Sequence, residues 1–241
     1  MNIAFHTGKT ALIAQAQALS VYGNNLANIN TYGYQTQRPT LADTLYSVQP
    51  ATEPESQTAH GAYIQKTDLM FSESMFYNTD RPLDFAIAGE GFFAVQDRWG
   101  NTNYTRDGAF AMTQMENGEW NLVSSSGEFV LDYEGNRIVV PFDENDTAPD
   151  YSALAKMVGV FEFENPFGIE ALGTNRYTAT ERSGVPTANE NMEKLQGSLI
   201  ASNVDLATMM VKLIETQRAY QLSSRVVTTA DELANIANNL R

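Results

Sequence analysis

The stretch SLIASNVDLATMMVKLIETQRAYQLSSRVVTTADELANIANNLR, residues 198–241, contains no Gly and no Pro. Leu206, Leu213, Tyr220, Val227 and Ala234 recur in it at a spacing of seven. Met209 and Met210, Thr216 and Gln217, Ser223 and Ser224, Ala230 and Ala237 fall midway. This is a heptad seam on a helix of roughly 58 Å from Asn203, at about 1.5 Å per residue. Ser202 or Asn203 is the expected cap, with Asp205 placing a negative charge in the first turn. One line of the seam is large and apolar, and the other is small or polar. Leu206, Leu213 and Val227 would each gain roughly 1.5–3 kcal/mol on full burial. Thr216, Ser223 and Ala230 add little, but they let another backbone come close. A helix this long cannot bury its seam against itself, so it needs a partner.

Residues 3–30 read as a second helix, with Leu12, Leu19 and Leu26 seven apart and Tyr22 and Ile29 between them. Ala11, Ala14, Ala16 and Ala18 favour helix. Gly23 weakens it by roughly 1 kcal/mol relative to Ala. Asn28, Asn30 and Gly33 are stop signals. The expected arrangement pairs the two terminal helices, antiparallel or nested with neighbouring chains. The alternative is a terminal hairpin packed on the body of a monomer.

The 241 residues carry a net charge of −14, no Cys, 43% hydrophobic and 10% aromatic side chains. That is enough for a sizeable core. Residues 1–42 hold Lys9, Arg38 and no acid, and residues 203–241 hold four bases and four acids. The middle carries nine basic against 25 acidic groups, a net of −16. An acidic middle disfavours nucleic acid as a partner, while the nearly neutral ends suit contact with copies of themselves. No apolar run approaches 18 residues, so no transmembrane helix is expected. MNIAFHTGKT lacks a basic region followed by an apolar core, so no signal peptide is expected, and a route out of the cytoplasm would have to be another one. A chain without thiols can pass through an oxidising compartment unharmed.

Between the ends, Gln35–Pro39 is expected to be extended, because a residue before Pro avoids αR. Thr40–Tyr46 is expected as a short helical turn, and Gln49–His60, with Pro50 and Pro54, as a linker or mobile loop. Ile64–Tyr77 is expected to be extended. Strands are expected at Asp84–Ala88, Phe92–Gln96, Asn103–Arg106, Ala109–Thr113, Trp120–Val123, Glu128–Asp132, Arg137–Val140 and Met157–Glu164. Gly-containing turns separate the first seven. Asp143–Asp150 reads as an acidic loop, Asn165–Ala188 as turn-rich, and Asn191–Leu199 leads into the C-terminal helix. The fold class is α+β: long terminal heptad helices pairing as a coiled coil, with an inserted antiparallel β-rich body. The expected division is residues 1–33 and 203–241 for the helical coiled-coil domain, 34–82 and 165–202 for extended connections, and 83–164 for the β body.

Catalytic and cofactor motifs fail on their own terms. Gly89-Glu90-Gly91-Phe92-Phe93-Ala94 fits GxGxxA, but that fingerprint needs a helix to follow and a strand follows here. A tight turn is the expected role of the glycines. Asp143-Glu144-Asn145-Asp146-Thr147 lacks the Gly and the bidentate Glu of a calcium loop, since Ala148 and Leu154 stand there. His6 and His60 lack companions, and no Ser sits in a GxSxG elbow. For Thr105-Arg106-Asp107-Gly108 a turn with an Arg–Asp contact is expected. No catalytic residue, cofactor or metal site is therefore expected.

Three blocks do carry a resemblance. The first is Asn24-Asn25-Leu26-Ala27-Asn28-Ile29-Asn30-Thr31-Tyr32-Gly33-Tyr34. The second is Asp84–Phe93 (DFAIAGEGFF) with Tyr104-Thr105-Arg106-Asp107-Gly108-Ala109-Phe110. The third is Gly197–Leu199 and Ser202–Asp205 with Glu215-Thr216-Gln217-Arg218-Ala219-Tyr220-Gln221 and Thr229–Glu232. In this order they resemble the rod and hook group of bacterial flagellar axial proteins, over nearly the whole chain. The 215–221 block looks more like a distal rod protein, and the short 46–84 segment more like a proximal one. The resemblance marks Asn25, Asn28, Gly33, Gly89, Gly91, Arg106, Asp107, Asn203, Gln217 and Arg218 as family-motif positions.

The resemblance implies a structural subunit of the basal-body rod, stacking helically into a hollow, torque-transmitting shaft. Its terminal helices would form an inner tube, disordered until assembly, with the β body outside. Its partners would be copies of itself, other rod and hook proteins, the flagellar type III export apparatus and ring proteins around the rod. The expected location is the periplasmic rod. The subunit-interface candidates are Leu12, Leu19, Tyr22, Leu26, Ile29, Leu206, Met209, Met210, Leu213, Tyr220 and Val227. The competing reading is a secreted β domain that binds or hydrolyses cell-wall glycan and carries a coiled-coil oligomerisation tail. An interfacial membrane helix at residues 3–30 lacks the basic face and aromatic anchors such helices use.

Overall fold

A computed structural model describes residues 3–44, 46–49, 56–59, 61–72, 74–116, 118–142 and 149–239. His60, the Pro50 and Pro54 segment, the acidic run 143–148 and Arg241 lie outside the described residues. The chain is α+β, with a helix near each end and a β-rich middle. It divides into two compact units, Met1–Ile29, Thr36–Met70 and Val204–Arg241 in one, Asn30–Gln35 and Phe71–Asn203 in the other.

In the first unit the N-terminal helix, Ile3–Ala27, packs against the C-terminal helix, Leu206–Asn239. The pair is antiparallel: Gly8 lies beside Ser223, Val226 and Val227, and Asn25 beside Met209. A Cβ on Gly8 would meet Val227 Cγ2 at 2.8 Å, so the backbone there approaches its partner closely. The cap of the C-terminal helix is Asp205, not Ser202 or Asn203. Its carboxylate accepts from the Thr208 amide at 3.0 Å and from the Thr208 hydroxyl. Those bonds hold its pKa below the ordinary carboxylate value. A carboxylate three residues before a free helical N–H caps as well as an Asn does, and adds charge.

Two hairpin-like pairs complete this unit. Strand β1, Thr36–Asp43, runs antiparallel to the later strand Ala62–Met70, with a bulge between Thr40 and Leu41. Between them, β2 (Tyr46–Gln49) pairs with β3 (Ser56–Ala59), and Ala62–Met70 becomes β4. Thr40–Asp43 is thus strand, not the expected helical turn, and Ser56–Ala59 is strand within the segment expected as a linker. Cross-strand pairing outweighs local propensity here. A side chain ties strand to helix. Asn25 Nδ2 donates to Gln37 O at 2.7 Å, and Asn25 Oδ1 accepts from Gln37 N at 2.9 Å.

The second unit is the β body. Strands β5 (Phe76–Asn78) and β6 (Phe85–Ile87) lead into β7 (Phe92–Gln96), β8 (Thr102–Thr105), β9 (Ala111–Gln114), β10 (Trp120–Val123) and β11 (Phe129–Val130). After a short helix, Tyr151–Met157, come β12 (Val160–Glu162), β13 (Glu170–Gly173), β14 (Arg176–Thr178), β15 (Thr187–Ala188), β16 (Lys194–Gln196) and β17 (Ser198–Ile200). Nine strands form one antiparallel sheet in which β7 is central, pairing β8, β11 and β12. Strand β5 pairs β17, and β6 pairs β16.

The helix Tyr151–Met157 starts where the acidic loop was expected to end, so the strand expected from Met157 begins only at Val160. Asp150 caps it, accepting from Ser152 N and Ala153 N. The 137–140 strand is reduced to isolated bridges at Arg137 and Val139.

Because β7 is covered on both faces, it reads FFAV without alternation. Phe93 and Val95 join Phe85, Ile87, Phe110, Leu122, Val130, Leu154 and Val160 in the main core. Phe92 faces the other way and meets Phe71, Phe163 and Tyr177 edge-on. Turn chemistry repeats in the sheet: in Asp97–Asn101 and Asp132–Asn136 an Asp carboxylate accepts two backbone N–H groups, and a Gly of positive φ follows.

Candidate self-association surface

The C-terminal helix carries apolar side chains on two opposite faces. On the face toward the N-terminal helix the most buried residues are Thr216 and Ala230, with Met209, Leu213, Ser223 and Val227 half-buried. On the opposite face Val211, Ile214, Leu222, Leu233 and Ile236 are each about half exposed, between 49% and 61%. Their offsets of 3, 11, 22 and 25 residues from Val211 track a period of about 3.6 and place them on one stripe. From Asp231 to Asn239 every residue is exposed. The helix has 34 residues against 25 in the N-terminal one, so its last turns run past the end of its partner.

The expected interface residues therefore separate into groups. Met209, Leu213 and Val227 lie on the paired face. Leu206 and Met210 are exposed, at 44% and 49%, and Tyr220 is 39% exposed. In the N-terminal helix and just after it, Leu12, Leu19, Tyr22, Leu26 and Ile29 are half-buried, while Ile3 and Ile13 are about half exposed. The outer stripe went unread because the heptad template assigns one seam per helix. A count of apolar residues at a period of about 3.6 would have found the second.

The family-motif positions fall into two sets. Gly33, Gly89, Gly91, Arg106 and Asp107 come together in the β unit. Gly33 has φ +69°, and a Cβ on it would meet the Arg106–Asp107 peptide at 2.5–2.6 Å. Arg106 is 5% exposed. Its Nε donates to Gly91 O at 3.1 Å, a terminal nitrogen donates to Gly89 O, and its guanidinium lies over Phe92 and Phe71. Burial lowers its pKa, opposed by Tyr177 and Glu90. This corrects the expected Arg–Asp contact: Arg106 holds the Gly89-Glu90-Gly91 turn, while Asp107 accepts from Ala109 N at 3.0 Å and from the Ser125 hydroxyl at 2.8 Å. Two carbonyls and two ring faces satisfy a buried guanidinium that local sequence would pair with the adjacent acid.

Asn203 joins the same unit through Gln35 Oε1 and Ser72 Oγ, both at 3.1 Å. Gly33 N donates to Ile200 O at 2.8 Å. In the helical unit, Asn25 ties Gln37 as described, Asn28 Nδ2 donates to Asn24 O at 2.8 Å, and Gln217 and Arg218 are exposed.

His6 is exposed and meets Phe5 edge-on. Among the described residues no group of three or more His, Cys, Asp or Glu is placed to hold a metal ion, and no helix is long and apolar enough to cross a membrane.

The two ends of this chain build one helical unit, and the β body is inserted between them in sequence. Three family models match it in order: "Flagella basal body rod protein" over residues 5–35, "Flagellar hook protein FlgE/F/G D1 domain" over 86–151, and "Flagellar basal body rod FlgEFG protein C-terminal" over 195–240. The flagellar basal-body rod protein FlgG of Borreliella burgdorferi is 32% identical, over 100% of this chain and 99% of that one. FlgG of Agrobacterium fabrum is 31% identical over 95% of each chain. The flagellar hook-basal body complex protein FlhP of Bacillus subtilis is 28% identical over 98% of each. The chain belongs to the flagellar basal-body rod protein family, the structural subunits of the bacterial basal-body rod.

Proposed function

We propose that the chain polymerises helically, with copies of itself and with other flagellar rod and hook proteins, into a hollow shaft that transmits torque without catalysis. The two terminal helices form a coiled-coil inner layer through the outer stripe of the C-terminal helix, and residues 83–164 form the outer body. The interface candidates Leu12, Leu19, Tyr22, Leu26, Ile29, Leu206, Met210 and Tyr220 flank that contact. The shaft is periplasmic, its subunits leave the cytoplasm unfolded through the flagellar type III apparatus, and ring proteins grip the acidic body.

One observation carries this reading. An apolar stripe about half exposed along a 34-residue helix is costly in water unless another surface covers it. A contact that repeats without closing gives a filament. The test is Leu222→Asp with Ile236→Asp. Both side chains already face outward, so the purified chain should keep its circular dichroism and melting temperature, while cells lose swimming and rods. Wild-type motility and intact basal bodies in this variant would overturn the proposal.

A further inference from the structure

Two features of the β unit stand at opposite ends of β7. Beyond its C-terminal end the turn Asp97-Arg98-Trp99-Gly100-Asn101 presents Trp99, which is 79% exposed. The turn is stiff. Asp97 Oδ1 accepts from Trp99 N and Asn101 N, both at 2.9 Å, and Asp97 Oδ2 accepts from Asn101 Nδ2 at 2.9 Å. Asp97 N donates to Asn101 O at 3.0 Å. The Arg98 guanidinium carbon lies 5.7 Å from the Trp99 ring centroid, so ring and charge form one knob.

Ahead of the N-terminal end of β7, around Gly89 and Glu90, lies a cleft of about 490 Å³. Sites that enclose a ring system run to roughly 300–1,000 Å³. Phe71, Phe76, Ile87 and Ile200 give it apolar walls, and Ser74 and Glu90 also line it. The Ser74 hydroxyl oxygen is buried and finds no hydrogen-bond partner among the described residues. Such a group is unfavourable until something entering the cleft supplies the missing bond. Glu90 is exposed and brings a carboxylate.

We propose that this cleft receives the Arg98–Trp99 turn of a second copy of the chain. The two surfaces match at three points. The indole covers the apolar walls, its N–H donates to Ser74 Oγ, and Arg98 brings a cation to Glu90. Arg106, already bonded to Gly89 and Gly91, lines the same cleft and offers its guanidinium to an indole face. Trp and Arg are the side chains on which protein contacts most often depend. A turn held rigid before docking loses little freedom on binding.

Knob and cleft cannot meet within one molecule, because the five residues of β7 separate them by roughly 16 Å. The contact is therefore head-to-tail. Each added copy leaves one knob and one cleft open, and the chain of contacts does not close on itself. The proposal rests on the self-assembly reading above and adds to it a contact between β bodies that the helix stripe does not supply.

The chain has no Cys, so introduced thiols report only on each other. Arg98→Cys combined with Ala88→Cys, the latter position lining the cleft, leaves Trp99 and Ser74 in place. Basal bodies isolated from cells carrying this variant and oxidised with copper phenanthroline should give a ladder of disulfide-linked dimers, trimers and longer species on non-reducing gels. Each single variant should stay monomeric. An assembled double variant that stays monomeric overturns the proposal and leaves the self-assembly reading standing, as does a single variant that crosslinks equally well. Absence of the unaltered chain from basal bodies overturns both. Trp99→Ala decides the matter where the paired thiols block assembly. It should cut the number of rods per cell about ten-fold and leave the melting temperature of the purified chain unchanged. A normal rod count, or a lowered melting temperature, overturns the proposal.

Discussion

In the β unit Phe85, Phe92, Phe93 and Phe110 are each 0% exposed, whereas the helical unit buries Gly8, Ala14, Ala18, Asn25, Thr216 and Ala230. Each buried Phe withdraws enough apolar surface to contribute about 1.5–3 kcal/mol, and an Ala contributes well under half of that. The β body therefore holds itself together with large rings. The helices gain close backbone approach and leave their larger side chains, Ile214, Leu222, Leu233 and Ile236 among them, uncovered. One unit is finished as a monomer. The other has its strongest adhesive on the outside.

The sharpest way to break this contrast is Phe93→Ala, which removes a ring from the main core. A loss of about 3–5 kcal/mol is expected, read by urea denaturation. A loss below about 1 kcal/mol would mean the body is not organised around β7. Next is Gly33→Ala, where a Cβ collides with backbone and the positive φ disfavours any side chain. It should cost about 1–3 kcal/mol in the same measurement.

The helical unit offers a matched pair. Gly23 has nothing within 4 Å of a new Cβ, so Gly23→Ala should raise stability by about 0.5–1 kcal/mol. At Gly8 the same substitution meets Val227, so the propensity gain is offset and a net loss of about 1 kcal/mol or less is expected. Thermal melts of the two variants should move in opposite directions, and a common direction would show that the helices are not in contact at Gly8.

The smallest effect separates two carboxylates. Burial raises the pKa of Asp107 in the β body, while hydrogen bonds from Thr208 lower that of Asp205 at the helix cap. Asp107 takes up its proton more readily when folded, so its contribution declines as pH rises from about 4 through its folded pKa. Asp205 contributes above about pH 4, and that contribution is lost as pH falls through its depressed value. Carboxyl chemical shifts followed across pH 2–7 should show midpoints on opposite sides of the ordinary aspartate value.

How far each region could be read from sequence follows the same division. The boundaries of β7 at Phe92–Gln96 and β10 at Trp120–Val123 coincide with expectation, because apolar runs closed by Gly turns announce themselves. The N-terminal helix was legible from its Ala and Leu spacing. The β1–β4 pair was legible only in part: Gln35–Pro39 and Ile64–Tyr77 were expected to be extended, whereas Thr40–Asp43 was expected to be helical. Thr36–Asp43 contains Pro39 and a bulge, and six of its eight positions are exposed or partly so, which blurs the alternation a strand would show. The seven-residue helix at Tyr151 is too short to display a period, although Asp150 before Tyr-Ser-Ala-Leu-Ala was a readable cap. The bonds of Arg106 to Gly89 and Gly91 reach across 17 and 15 positions, a distance at which no local pattern chooses between carbonyls and a neighbouring acid.

The unequal lengths of the two helices bear on how a load passes through them. Two rods in side-by-side contact resist bending far better than one. Up to Ala230 the C-terminal helix has the other to lean on, and from Asp231 to Asn239 it stands as a single strut. Among the described residues, resistance to bending is therefore lowest over Asp231–Asn239, and a bend imposed there would deform the single strut before the doubled shank.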